Sequence, residues 1–362
     1  MLRPLLLLSS CRYYDIRMWE RFEELNFEPE AFLTEGVSLW KELGISERNI
    51  SLMSDNMLSG WIDREIDTCT GQGIRLVTYK DPLYPKSLLD LHDAPLLLYM
   101  WGEHLSVGAS GTGMVGTRRC SSYGAKIARM LGEGAARCGQ CVVSGGAAGI
   151  DGYAHAGCID AGGASIAVLG TGVDVVYPSQ HRELFARIRE NGGLYSEYRL
   201  GTGGEAWHFP KRNRIIAGLS SRVVIVEAPE RSGAMITARQ AAEIGREVWA
   251  VPGRIDDVRC AGSNRLILDG AIPLIGVEAF FEEVGGQKTL FANMEMENPP
   301  DIQLDETERR LLALLTDQGD RTIDNLANEA KMSAAEVLKT MTMLTIKGIV
   351  RSSAPGRYSL AD

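Results

Sequence analysis

The chain has 362 residues, a formal net charge of −9, 45% hydrophobic residues and seven cysteines. Such a length suggests two or three domains with a core large enough to fold unaided, and no apolar run of about eighteen residues is present to serve as a membrane-spanning helix. The odd number of scattered cysteines fits reduced thiols in a cytoplasmic protein better than a disulfide framework.

The start, Met1 to Ser10, holds a short leucine run that Arg12, Tyr13 and Tyr14 interrupt. It lacks the longer apolar region and small-residue cleavage site of a secretion signal. Amphipathic helices are then expected over Met18–Leu25, Ala31–Leu43 and Ile45–Leu58, so residues 1–72 read as a small helical domain with a scaffold or interaction role.

From Ile74 the texture changes to short apolar strands alternating with helical stretches. Strands are expected at Ile74–Tyr79, Pro95–Trp101, Thr112–Val115, Cys141–Ser144, Ser165–Leu169, Gly193–Glu197, Val223–Val226, Glu247–Val251 and Ala271–Leu274. Helices are expected around Tyr123–Arg137, Ile150–Ala161, Gln180–Glu190, Arg212–Leu219 and Ala234–Ile244. Continuous apolar strands separated by helices imply a mostly parallel sheet covered on both faces, which makes residues 73–286 an α/β, doubly wound, Rossmann-like domain. The polar stretch 287–303, with Asn298-Pro299-Pro300, reads as a linker. Residues 304–362 then carry three helices, at Leu304–Leu315, Thr322–Ala330 and Ser333–Lys347, followed by a strand, a turn and a strand. Three helices and a hairpin describe a winged helix-turn-helix.

Net charge conceals an uneven distribution. Residues 105–260 carry 18 cations and 14 acids, whereas both flanks are acidic. All the cations of this middle third except Lys126 and Lys211 are arginines, the residue suited to bidentate phosphate contacts and base stacking. From Asp305 onward eight cations face nine acids, so the winged helix shows no clear basic stripe for reading duplex DNA.

Several motifs invite chemistry and few sustain it. Gly111-Thr112-Gly113-Met114-Val115-Gly116 matches a dinucleotide fingerprint, but the strand ends inside it and no acid closes a ribose site. Gly116-Thr117-Arg118-Arg119 is better read as the loop at the carboxyl end of that strand. Cys138 and Cys141 form a CxxC with no second ligand pair, so no metal is expected. Ser144-Gly145-Gly146-Ala147-Ala148-Gly149 opens a helix and offers small residues through which backbone N–H groups could approach an anion. No Gly-Lys-Ser/Thr follows. Asp151, His155 and Asp174 could be assembled into an acid–base site only on paper, so no catalytic residue and no cofactor is expected.

The densest cationic element is His208-Phe209-Pro210-Lys211-Arg212-Asn213-Arg214-Ile215-Ile216. Together with Ser232-Gly233 and Val251-Pro252-Gly253-Arg254, it places Arg118, Lys211, Arg212, Arg214 and Arg254 among loops expected at one edge of the sheet. Glycine-rich turns at Gly145 and Gly146, the amide of Asn213 and the ring of Phe209 complete the expected nucleic-acid site.

The set Gly116-Thr117-Arg118, Ser144-Gly145 to Asp151, Tyr177-Pro178, His208 to Ser220, Ser232-Gly233 and Val251-Pro252-Gly253 resembles the DprA/Smf family of bacterial DNA-processing proteins, in order over roughly residues 74–284. The resemblance implies a non-catalytic, cytoplasmic, dimeric protein that binds single-stranded DNA and helps load the RecA recombinase in natural transformation. Its DNA-binding residues correspond here to Arg118 and to Lys211 with the adjoining Arg212-Asn213-Arg214. Two rival readings stay open. One is a nucleotide-processing enzyme of phosphoribohydrolase type, for which Ser232 to Thr237 departs from the Pro-Gly-Gly-x-Gly-Thr loop. The other is a transcription regulator that reads duplex DNA with its winged helix.

Overall fold

Short runs of β-branched and apolar residues between 75 and 273 pair into one nine-stranded sheet, seen here in a computed structural model. The structure describes all residues except 12–13, 26–27, 104–110, 286–304, 319–320, 347–348, 355–356 and 361–362. The strands are β1 (Arg75–Thr78), β2 (Leu97–Trp101), β3 (Gly111–Val115), β4 (Cys141–Ser144), β5 (Ser165–Val168), β6 (Gly192–Ser196), β7 (Arg222–Ile225), β8 (Glu247–Ala250) and β9 (Ile272–Pro273), in the order β1-β2-β6-β5-β4-β3-β7-β8-β9. The pairs β1–β2 and β2–β6 are antiparallel, and every other pair is parallel. From β3 the chain winds outward one way through β4, β5 and β6. It then returns to lay β7 against the other side of β3. The strand order therefore reverses between β3 and β7, and in an open α/β sheet this reversal opens a crevice at the carboxyl ends of the strands.

Alternate residues feed opposite faces, as a strand's two-residue period requires. Val142, Met114 and Val224 pack into one core with Trp249, Phe280 and Phe281, while Val143, Val115 and Ile225 enter the other. The helices that cover the sheet are α7 (Ser122–Arg137), α8 (Ile150–Asp160), α9 (Arg182–Asn191), α10 (His208–Leu219), α11 (Gly233–Glu243), α12 (Ala261–Leu268) and α13 (Val277–Gly285).

Among the described residues, six helices precede the sheet: α1 (Leu2–Ser9), α2 (Ile16–Glu23), α3 (Ala31–Thr34), α4 (Val37–Glu42), α5 (Glu47–Leu58) and α6 (Trp61–Gly71). Expected as a separate domain over residues 1–72, they belong instead to one compact unit with the sheet, residues 1–289. The reason is apolar continuity. Leu5 to Leu8, Trp19, Phe32 and Met53 lie in the same buried cluster as Leu97, Leu98 and Tyr195 of the sheet. The leucine run of α1 is a core helix, with Leu5, Leu6, Leu7 and Leu8 fully buried.

The second unit, residues 290–362, has α14 (Glu306–Gln318), α15 (Ile323–Ala330) and α16 (Ala334–Ile346), and a small sheet of β10 (Arg321–Thr322), β11 (Val350–Ala354) and β12 (Arg357–Leu360) in the order β10-β12-β11. Two capping boxes start its helices. Asp305 and Glu308 exchange backbone-to-carboxylate bonds of 2.7 and 3.0 Å, and Ser333 and Glu336 exchange bonds of 3.3 and 3.0 Å. Leu311, Leu326, Val337 and Met341 fill the core. This is the winged-helix arrangement expected for residues 304–362. The linker expected over 287–303 and the turn at Pro355-Gly356 lie outside the described residues.

Helices α7 and α8 touch through glycines. A Cβ on Gly132 would collide with the Ala154 carbonyl, and one on Gly157 would collide with the Arg129 carbonyl. We predict that Gly157→Ala forces the two helices apart and destabilises the first unit by about 1–3 kcal/mol. The measurement is a urea midpoint that falls at unchanged slope. An unmoved midpoint would show that the helices separate freely.

Candidate nucleic-acid interface

Four elements meet at the reversal between β3 and β7. They are the loop after β3, the start of α8, the first two turns of α10 and the start of α11. The loop after β3 is held from beneath by Glu227, which follows β7 and is buried. Its carboxylate accepts from the Ser121 N–H at 2.8 Å and from the Ser121 hydroxyl, and its carbonyl accepts from Thr117 N–H at 2.7 Å. The Thr117 carbonyl in turn accepts from Ile150 N–H at 3.3 Å. This close approach requires glycine at position 149, where φ is +81° and any Cβ would run into the Thr117 carbonyl. Arg118 and Arg119 therefore stand on a loop fixed from two sides.

The crevice above is a groove of about 680 Å³. Among the described residues, Arg118, Arg119, Arg212 and Arg231 line it, against one acid, Asp151. Arg118, Arg119 and Arg231 are exposed. Phe209, half-buried, forms part of the wall. The Arg118 guanidinium lies 5.1 Å from its ring centroid, and the Tyr177 ring lies 5.3 Å away at 35°. Across the groove α11 begins without a side-chain cap at Ser232 and without an acid in its first turn. Its positive end is left uncompensated beside the arginines. The arrangement can hold phosphates through guanidinium and helix-terminal N–H groups, and it presents aromatic faces on which a base can stack.

Arg212 does a different job from the exposed arginines. Its side chain is buried, at 4% exposure. Its Nη1 donates to the Gly145 carbonyl at 2.8 Å and to the Val168 carbonyl, and its Nε donates to Asn213 Oδ1 at 3.2 Å. Asn213 Nδ2 then donates to the Gly233 carbonyl at 3.2 Å. One guanidinium and one amide so tie together the ends of β4 and β5 and the start of α11. Burial pushes the Arg212 pKa down to about 10, Asp151 works against that shift, and nearby Arg118 adds to it.

Other residues singled out from sequence stand away from this groove or turn their polar groups inward. Gly145 and Gly146 are buried. The Gly145 N–H donates inward to Asp151 Oδ2 at 3.1 Å, so it is not an open anion donor. Gly146 packs against the Phe185 ring. Arg214, also buried, pairs with Glu197 at 2.6 Å and with Asp93 at 2.9 Å and does not line the groove. Arg254 is exposed, but both its Nε and Nη2 donate to Asp256, at 2.9 and 2.8 Å, and it too lies outside the groove lining. Lys211 turns to the opposite side of α10, with Nζ 3.4 Å from Glu197. Of the residues singled out from sequence, the groove brings together Arg118, Phe209, Arg212 and Asn213.

Sequence reasoning missed Arg231 as a lining cation and passed over Arg119. The available signal for Arg231 was position: it stands in the turn between β7 and α11, two residues before the helix begins. The start of α10 was also expected too late. The helix begins at His208, because a proline is tolerated within the first helical turn and Pro210 sits there.

The paper acid–base set does not assemble. His155 is fully buried with Nδ1 2.7 Å from the Ser165 hydroxyl, and burial drives its pKa down to about 3. Asp174 accepts from Gly201 N–H at 2.9 Å. In the CxxC, Cys138 and Cys141 are free thiols with pKa values raised by burial, the opposite of an activated thiolate. The fingerprint glycines Gly111 and Gly113 lie within β3 itself.

Comparison with known proteins agrees with this architecture. Residues 75–285 match the family model described as DNA recombination-mediator protein A, and residues 295–356 match the DprA winged helix domain. The chain is 40% identical over 215 residues to the DNA processing protein DprA of Bacillus subtilis, covering 59% of this chain and 72% of that one. It is 36% identical over 291 residues to Protein Smf of Escherichia coli, covering 78% and 76%. With Protein Smf of Synechocystis the identity is 38%, over 67% of this chain and 62% of the relative's length. The X-ray structure of DprA from Streptococcus pneumoniae superposes with a TM-score of 0.68 at 32% identity, over 78% of this chain and 97% of that one. A structure described as showing the single-stranded DNA binding mode of DprA from Helicobacter pylori superposes at 0.54 with 27% identity, over 58% and 95%.

Behind α10 the Glu197–Arg214 pair yields a pH prediction. Burial disfavours the Glu197 carboxylate, but Arg214 and Lys211 prevail and hold its pKa below the ordinary value. The stability it contributes is therefore present at neutral pH and is lost as pH falls through the depressed value. We predict that Glu197→Gln costs about 3 kcal/mol at pH 7, because Arg214 stays buried with only the half-exposed Asp93. The same variant should flatten the acid limb of the stability profile, measured by denaturant unfolding between pH 3 and 7. Equal losses at pH 7 and pH 3 would contradict this account.

Proposed function

The chain belongs to the DNA recombination-mediator protein A family, and from that premise we propose that it is a cytoplasmic, non-catalytic, single-stranded DNA-binding protein acting in DNA uptake and recombination. One observation carries the reading: an open groove at the strand reversal that sets four arginines against one acid beside a half-buried phenylalanine. Arg118, Arg119 and Arg231 take phosphates there, the uncapped start of α11 adds backbone donors, and Phe209 offers a face to a base. A flexible single strand can present phosphates and bases to such a narrow groove together, whereas a duplex keeps its bases stacked inside. A RecA-type recombinase is the proposed partner to which the strand is delivered. Support for that partner is the mediator role in the family's description.

A homodimer is proposed as the working form. The support is the open edge of the sheet at β9. Leu268, Ile272 and Ile275 are 75%, 37% and 86% exposed there, an apolar set at the last strand of the sheet among the described residues. A two-fold partner would cover this edge with the same residues of a second copy.

Two outcomes test these readings. Arg118→Glu should leave the fold intact and lower affinity for an oligothymidylate at least tenfold, about 1.4 kcal/mol, measured by fluorescence anisotropy. If three exposed arginines carry the phosphates, the wild-type log–log salt slope should be about −2. Wild-type affinity in a folded Arg118→Glu protein removes the assignment. Separately, Leu268→Asp with Ile275→Asp should shift the protein from dimer to monomer in analytical ultracentrifugation, and an unchanged sedimentation coefficient rejects the β9 edge as the interface.

A further inference from the structure

A second groove, about 660 Å³, lies on the other side of α10, between that helix and the helices that precede the sheet. The two grooves share a thin wall. Along the segment that enters α10, Gly204, Ala206, Phe209 and Pro210 face the first groove, while Gly203, Glu205, Trp207, His208 and Lys211 face the second. Residues 203–207 thus alternate between the two grooves, and Gly203 and Gly204 add no side chain to the wall that divides them.

The second groove is built of rings. Trp207 and Tyr198 flank His208, with centroids 4.2 and 4.1 Å from its ring, and Trp61 faces them from α6. Burial pushes the His208 pKa down, against the opposing pull of the Gly170 carbonyl 3.0 Å from its Nδ1. At the rim, exposed Arg199 lies 5.9 Å from the Trp61 ring centroid and Lys211 closes the α10 side. Acids are present but engaged. Glu65 accepts from the Tyr99 hydroxyl at 2.9 Å and from Leu200 N–H at 2.8 Å, Glu197 holds Arg214 and Lys211, and Glu205 accepts from Trp207 Nε1 at 2.5 Å.

We propose that this groove is a base-stacking subsite for the same single strand, which crosses the low wall from the arginine groove. Trp207, 37% exposed, is the stacking face, and exposed Arg199 holds a flanking phosphate. The inference rests on the reading of the first groove as a single-strand site. A flat neutral base fits the aromatic walls, and every base has a face to stack, so the subsite is indifferent to sequence. A basic peptide side chain would meet Arg199 and Lys211 at the entrance, which disfavours it.

The test uses the full chain and short oligothymidylates carrying one abasic site moved stepwise along the strand. In the wild type, one abasic position should lower affinity about 5- to 150-fold. Trp207→Ala should lose a similar factor with the intact strand and become indifferent to the abasic site at that position, while Trp207→Phe keeps most of the affinity. Arg199→Glu, at the exposed rim, should weaken binding and reduce the salt slope by about 0.7; it gives the answer if Trp207→Ala proves unfolded in a thermal scan. Wild-type binding and an unchanged abasic penalty in Trp207→Ala, or an unchanged slope in Arg199→Glu, overturns the subsite. Loss of oligoarginine binding alone in Trp207→Ala assigns the groove to a basic protein segment and also overturns it. Arg118→Glu separates the two levels: if it abolishes binding while Trp207→Ala does not weaken it, the first groove stands and the second falls.

Discussion

A guanidinium buried where two parallel strands end is the constraint on which the rest of the site depends. Carbonyls at the ends of β4 and β5 point out of the sheet with no further strand residue to meet them, and burying them unpaired would be costly. Arg212 answers both, through Gly145 and Val168, and passes the link through Asn213 to the start of α11. Asp151 supplies the nearby countercharge and holds the Gly145 N–H. The interior thus carries a charge, but every element around the crevice is joined to it. The opposite side of α10 repeats the solution with Arg214 between Glu197 and Asp93.

Because these buried cations stiffen the floor, the exposed ones can be left without acids of their own inside the groove. Arg118 stands over Phe209, and Glu227 fixes the loop it rides on by gripping Ser121 and Thr117. An acidic protein can therefore present a cationic cleft. Its negative charge lies chiefly on the flanking thirds of the sequence, while the field inside the groove is set by four arginines and one aspartate. Phosphate binding of this kind depends on local geometry, which net charge does not report.

Much of the scaffold was legible before any coordinates. The strands are short, largely apolar runs, several of them rich in β-branched residues, each covering helix follows a glycine-rich or polar turn, and continuous burial on both faces leaves a parallel sheet as the natural solution. The strands fell within a residue or two of their expected places, from Cys141–Ser144, which matched at both ends, to Ala271–Leu274, of which Ile272 and Pro273 pair. What local pattern could not reveal was that the N-terminal helices share the sheet's core. Trp19, Phe32 and the leucines of α1 look equally suited to a core of their own, and only the packing against Leu97 and Tyr195 decides otherwise.

The same division holds at the site. The sequence by itself determined which residue types gather near position 210 and that the loop after β3 carries arginine. Tertiary structure alone decided what each cation does. In Lys211-Arg212-Asn213-Arg214 four polar side chains are adjacent in sequence, but a helix turns each by about 100° from the last. Lys211 and Arg214 therefore go to the Glu197 side, while Arg212 and Asn213 go under the arginine groove. Helical rotation separates neighbours in sequence, and the strand reversal between β3 and β7 brings Arg118 and Arg231, more than a hundred residues apart, to one crevice.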